Sequence, residues 1–72
     1  MALKDNFLLN IKAIQLEDFL RGKHVIQRFH LPCDLKTDDV VRWCHTAYDG
    51  FAKVAWCDLE GDWLVCSFQK IN

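Results

Sequence analysis

Asp58, Glu60 and Asp62 place three carboxylates within five residues, around Gly61 and between two apolar runs. Such a segment suits three kinds of chemistry: a hairpin turn, a cation site, or an acidic edge that docks on a basic partner. As a turn it needs Gly61 for a positive φ and keeps its acids for solubility. As a calcium loop it has the alternating early ligands, but it lacks the downstream bidentate glutamate and is flanked by strand-like runs instead of helices. As a docking edge it holds three like charges whose repulsion a cationic partner would relieve, with a gain of steering in the encounter.

Lys12 and Arg28 are candidates for the cationic side of such a contact. Both fall on segments that read as strands, on the face turned away from the apolar residues. Neighbouring strands lie about 4.8 Å apart, so the two cations would form one basic patch, extended by Lys23 and His30. The alternative is an ordinary solvated sheet face. Nucleic acid is not an expected ligand, because the basic residues are few and only Phe29 and His30 interleave with them.

Catalytic chemistry finds little to work with. Cys44 and His45 are neighbours on a segment expected to be helical, so they point about 100° apart and make a poor nucleophile and base, with Cys44 expected inside and His45 at the surface. No serine lies in a nucleophile-elbow pattern, and the chain's 3 glycines form no phosphate-cradling loop. The expectation is a protein that is not an enzyme and needs no cofactor. Cys33, Cys44, Cys57 and Cys66 include no Cys-x-x-Cys pair, and three of them sit in apolar periodic runs where a reduced thiol packs as a small hydrophobe. Metal binding through cysteines, histidines or the acidic segment is the rival functional class.

Length and charge bound the rest. With 72 residues and 51% hydrophobic content, the chain has room for one domain with a modest core and no large substrate cleft. A net charge of -1 gives no global field toward nucleic acid or an anionic membrane. Apolar runs such as Phe7-Leu8-Leu9 and Val54-Ala55-Trp56-Cys57 fall far short of the roughly 20 residues that cross a bilayer. Residues 1–10 contain Lys4, Asp5 and Asn6 and no long apolar block, so no signal peptide is expected and the chain reads as soluble and cytoplasmic.

The elements that would carry these residues follow from periodicity. Over Phe7 to Ile14, alternation puts Phe7, Leu9, Ile11 and Ala13 on one face and Asn10 and Lys12 on the other. Leu9, Ala13, Leu16 and Leu20 also fit helical spacing, so a helix competes with this strand. The turn Arg21-Gly22-Lys23 before Val25-Ile26 favours a strand to about Gln15, a short irregular or helical connection, and a second strand from His24 to Leu31. In that strand Val25, Phe29 and Leu31 point inward, Ile26, Arg28 and His30 point outward, and Pro32 ends it. A helix is expected from Thr37 as N-cap to an Asp49-Gly50 stop, with Val40, Val41, Cys44, Ala47 and Tyr48 as its apolar stripe. Strands Ala52 to Cys57 and Trp63 to Phe68 close an order of β-β-α-β-β in an α+β domain.

Asn10-Ile11-Lys12-Ala13, Ile26-Gln27-Arg28-Phe29 and Trp56-Cys57-Asp58-Leu59-Glu60-Gly61-Asp62, in that order, resemble the Phox/Bem (PB-one) scaffold domain, as found in atypical protein kinase C and sequestosome-type adaptors. The resemblance spans Phe7 to Phe68. It implies a ubiquitin-like β-grasp roll, whose usual C-terminal helix and strand are missing after Phe68-Gln69-Lys70, and where Gln27 stands many relatives carry a second base. It also implies heterotypic front-to-back docking in signalling or adaptor scaffolds. Lys12 and Arg28 would be the basic contacts, and Asp58, Glu60 and Asp62 the acidic ones. The expected partners are proteins carrying a complementary Phox/Bem-type domain, with self-association as a further expectation, and neither nucleic acid nor membrane.

Overall fold

The computed structural model describes residues 3–71 as a mixed five-stranded sheet with one short helix. The elements run β1 (Leu3–Asn10), α1 (Ala13–Leu20), β2 (Val25–His30), β3 (Val40–His45), β4 (Tyr48–Glu60) and β5 (Trp63–Lys70). In space the strands order β1-β3-β4-β5-β2, with β1 parallel to β3 and every other pair antiparallel. The chain is thus α+β as expected, but the order is β-α-β-β-β-β and not β-β-α-β-β.

The helix is the main correction. Residues 37–49 form no helix; Val40 to His45 are a strand that turns through Thr46-Ala47 into β4. Val41 and Trp43 point into the core while Arg42 and Cys44 alternate outward, a period of two hidden by the chance helical spacing of Val40, Val41, Cys44 and Ala47. Asp38 and Asp39 do not cap a helix. Asp38 sits at φ 74, and the Asp39 carboxylate accepts the Lys36 N–H at 2.9 Å, so the pair builds a tight turn into β3.

The actual helix is the competitor over residues 13–20. Ala13, Gln15, Leu16 and Glu17 favour it, and it ends in a Schellman motif: Gly22 at φ 88 donates to the Phe19 carbonyl at 3.0 Å and Lys23 to that of Asp18 at 3.0 Å. Phe19 is its one fully buried side chain and stacks edge-on against Trp43 with ring centroids 4.9 Å apart. Leu16 and Leu20 pack beside it. The remaining core comes from the inner face of the sheet: Leu9, Val41, Ala52, Val54, Cys66 and Phe68 are all fully buried.

Edge strands β1 and β2 do not pair, yet the sheet curls until their side chains meet. Phe7 and Phe29 stack edge-on at 5.3 Å, and Gln27 Nε2 donates to the Asn10 carbonyl at 2.8 Å. The 13-residue β4 serves both halves of the sheet, and it does so through a bulge between Val54 and Trp56. Without the extra residue Trp56 would share the core face with Val54; with it, Trp56 is turned outward.

Candidate functional site

Cross-strand partners in an antiparallel ladder share a face. Three rows can therefore be traced across the outer face of β2, β5 and β4: Ile26–Ser67–Trp56, Arg28–Val65–Asp58 and His30–Trp63–Glu60. The outward assignment of Ile26, Arg28 and His30 holds in this register. Trp56 and Trp63 are each 41% exposed and Ile26 is 52% exposed, a large apolar presence for a solvent-facing surface. Ser67 and Val65 lie buried between them.

Arg28 crosses this surface. Its guanidinium reaches Glu60 Oε1 at 3.0 Å, so its stem spans the Val65 row and links β2 to the end of β4. Both partners are well exposed, and an ion pair of this kind contributes only about 0.2–1 kcal/mol. One residue of the basic set and one of the acidic set thus meet within the same molecule. Asp58 lies one row away on the same face, exposed. Asp62 occupies the two-residue turn with Gly61, where Gly61 at φ 60 meets the type II′ requirement and the Asp62 carbonyl accepts the Leu31 N–H at 2.9 Å.

Lys12 stands elsewhere than expected. It is not mid-strand but the N-cap residue of α1, exposed and with no carboxylate within ion-pair distance among the described residues. The strand carrying Arg28 does not pair with β1, so the expected cross-strand neighbourhood of Lys12 and Arg28 is absent. A polar clasp ties the two segments instead: Gln15 Nε2 donates to the Ile26 carbonyl at 3.1 Å, and Gln27 Nε2 contacts Gln15 Oε1 at 3.2 Å. Gln27 is therefore occupied in holding α1 to β2. Of the two residues expected to extend a basic patch, Lys23 pairs with Asp18 at 3.7 Å, and His30 stacks edge-on against Trp63 at 4.9 Å while its Nδ1 donates to the Leu31 carbonyl.

The residues that sequence reasoning did not assign to the site are Trp56, Trp63 and Ile26. Counting alternation outward from the Gly61-Asp62 turn identifies Trp63 and Val65 as facing away from Leu64 and Cys66. Trp56 was not accessible this way, because the bulge reverses its parity.

The cysteines divide by face. Cys44 lies on the outer face, where its thiol donates to Asn10 Oδ1 at 3.3 Å, rather than in the core; the neighbouring His45 Nδ1 donates to the Ile11 carbonyl at 2.7 Å. Cys57 and Cys66 are directly opposed on the inner face with their sulfurs 3.2 Å apart. Cys33 packs against the same core. Burial pushes the Cys57 and Cys66 thiols above the ordinary value of 9.0. A raised thiol pKa means the folded state holds the proton that the unfolded chain releases. The stability this contributes is complete below about pH 9 and falls as pH rises further, with a limiting slope of about 1.4 kcal/mol per pH unit for Cys66. Urea unfolding from pH 8 to pH 11 under reducing conditions checks this, and Cys66→Ala is expected to flatten the slope. Equal slopes in the two proteins would oppose it.

No group of three or more His, Cys, Asp or Glu side chains among the described residues is arranged to hold a metal ion. No helix among the described residues is long and apolar enough to cross a membrane. Comparison with protein-family models, with curated proteins and with solved structures finds no match.

Proposed function

We propose that this chain is a protein-interaction domain that docks through opposed charge on the outer face of β2, β5 and β4. The observation that carries the reading is the exposed pair Trp56 and Trp63, with Ile26, framing the Arg28–Glu60 ion pair. Trp and Arg are the side chains most enriched where interfaces concentrate their energy, and a charged pair beside them sets orientation. The opposed-charge chemistry is the one the Phox/Bem resemblance implies, with Arg28 as the basic contact and Asp58, Glu60 and Asp62 as the acidic ones; Lys12, the N-cap residue of α1, does not belong to this sheet face. The fold reading that accompanies it is a β-grasp-like roll with a changed element order, supported by a mixed sheet with one helix on its inner face.

The occupant to which the reading commits is a second copy of this chain, since the face carries both charge signs and is complementary to itself. Docking exchanges the internal Arg28–Glu60 pair for the same pair made between molecules. Because Arg28 and Glu60 sit on one face, two copies can exchange both pairs at once in a two-fold contact that closes on itself. A different domain with the same two halves would dock in the heterotypic, front-to-back manner. Sedimentation equilibrium tests this over concentration and salt. Self-association is expected to weaken as salt rises from about 0.1 M to about 1 M, where the screening length falls from about 10 Å to about 3 Å. A monomer at millimolar concentration would overturn the second-copy assignment. Association that strengthens in salt would indicate apolar or strand-edge pairing through β1 or β2 without charge exchange.

A further inference from the structure

The facing thiols of Cys57 and Cys66 are a chemical site that docking does not use. Their register can be counted from the turn. Glu60 and Trp63 close the two-residue hairpin loop and form the hydrogen-bonded pair, so Leu59 with Leu64 is non-hydrogen-bonded, Asp58 with Val65 is bonded, and Cys57 with Cys66 is non-hydrogen-bonded. At such positions the Cα atoms of opposed residues stand about 4.5 Å apart and the side chains lie closest. That separation falls inside the range of about 4.4–6.8 Å that a disulfide tolerates. The sulfurs, already 3.2 Å apart, have about 1 Å left to travel to the bond length of about 2.05 Å. No other pair among the four free cysteines is joined by a contact between sulfurs.

We propose that Cys57 and Cys66 form a dithiol site that a small-molecule disulfide of the glutathione type oxidises to a cross-strand disulfide. The half-buried Cys57 is the entry thiol and the fully buried Cys66 resolves it. Cys57 loses its proton and its thiolate attacks one sulfur of the small disulfide, forming a mixed disulfide and releasing one small thiolate. Cys66 then loses its proton and attacks the Cys57 sulfur, expelling the second small thiolate. The protein gives up two electrons and two protons, and the small disulfide becomes two thiols. The product bolts β4 to β5 beneath Trp56 and Trp63.

Burial keeps both thiols protonated at neutral pH; for Cys57 the hydrogen bond with Cys66 offsets part of that rise, and the charges of Cys33 and Asp39 add to it. Closure is therefore slow near pH 7. It is expected to accelerate about tenfold per pH unit while the attacking thiol remains mostly protonated.

The test uses the full chain, reduced and then incubated with oxidised glutathione, followed by alkylation and non-reducing peptide mapping. The expected product has lost two hydrogens, carries a peptide linking Cys57 to Cys66, and leaves Cys33 and Cys44 open to alkylation. Cys33→Ala is expected still to form the Cys57–Cys66 link, no slower than the wild type, and Cys57→Ser to form no internal link. A link from Cys33 to Cys57, a lasting glutathione adduct on Cys57, or full alkylation of both Cys57 and Cys66 after oxidation would each overturn the proposal. The wild-type map alone decides it if a variant fails to fold. None of these outcomes bears on the docking reading, which concerns the opposite face of the sheet.

Discussion

Replacing Phe19 by alanine is expected to cost about 3–5 kcal/mol of folding stability, the range for truncating a fully buried aromatic. The side chain is 0% exposed, is the only fully buried residue of α1, and stacks on Trp43 at 4.9 Å. Its removal takes away both the transfer free energy of the ring and the edge-on aromatic contact, and leaves a cavity between helix and sheet. A domain of 72 residues holds roughly 4–11 kcal/mol in total, so the loss is a large share of the whole. Urea unfolding followed by far-ultraviolet circular dichroism is the measurement. Trp43→Phe is the informative comparison, because its indole N–H is buried without a partner among the described residues, so the smaller ring sheds an unsatisfied donor. Phe19→Ala should be far more destabilising than Trp43→Phe. A cost below about 1 kcal/mol for Phe19→Ala would mean that α1 is not anchored by this contact.

Phe19 illustrates why parts of this fold could be read in the sequence and parts could not. In β2 and β5 alternation is regular and bounded by Pro32 and by the Gly61-Asp62 turn, so strand positions and the inward set Val25 and Phe29 follow directly. In residues 7–20 strand and helix periods overlap, since Leu9 and Ile11 belong to an alternating pattern and Leu16 and Leu20 to a helical one. The boundary lies at Lys12, and only the packing of Phe19 on Trp43 decides it. Residues 37–49 fail for the opposite reason. Val40-Val41, Trp43 and Tyr48 have strand propensity, but the acids before them and Asp49-Gly50 after them imitate helix ends. The acidic and basic candidates were recognisable by residue type. Their direct union in Arg28–Glu60 depends on β2 pairing with β5, a long-range choice that local pattern does not encode.

Trp63→Ala is expected to weaken docking by about 2 kcal/mol, roughly 30-fold, while changing fold stability much less than Phe19→Ala. Trp63 begins β5 and keeps 41% of its surface in solvent, so the isolated domain loses mainly its contact with His30, of the order of 0.5–1.5 kcal/mol. The exposed ion pair contributes little in the free domain and yields mostly orientation in the complex. Arg28→Ala is therefore expected to cost less affinity than Trp63→Ala and to slow association more. Titration calorimetry or sedimentation of the two variants separates these effects. A larger loss from Arg28→Ala would reverse the roles assigned to anchor and charge.

The most direct test of opposed-charge docking between copies is a charge-reversal exchange, read by sedimentation equilibrium. Arg28→Glu alone puts glutamate against Glu60 of the neighbouring copy, and Glu60→Arg alone puts arginine against Arg28. Mixed in equal amounts, the two variants restore an opposite-charge pair at both contacts of a two-fold interface. Opposed-charge docking predicts that each variant is monomeric by itself and that the mixture forms a one-to-one dimer. A mixture that stays monomeric while the wild type associates, or single variants that associate as well as the wild type, would contradict it.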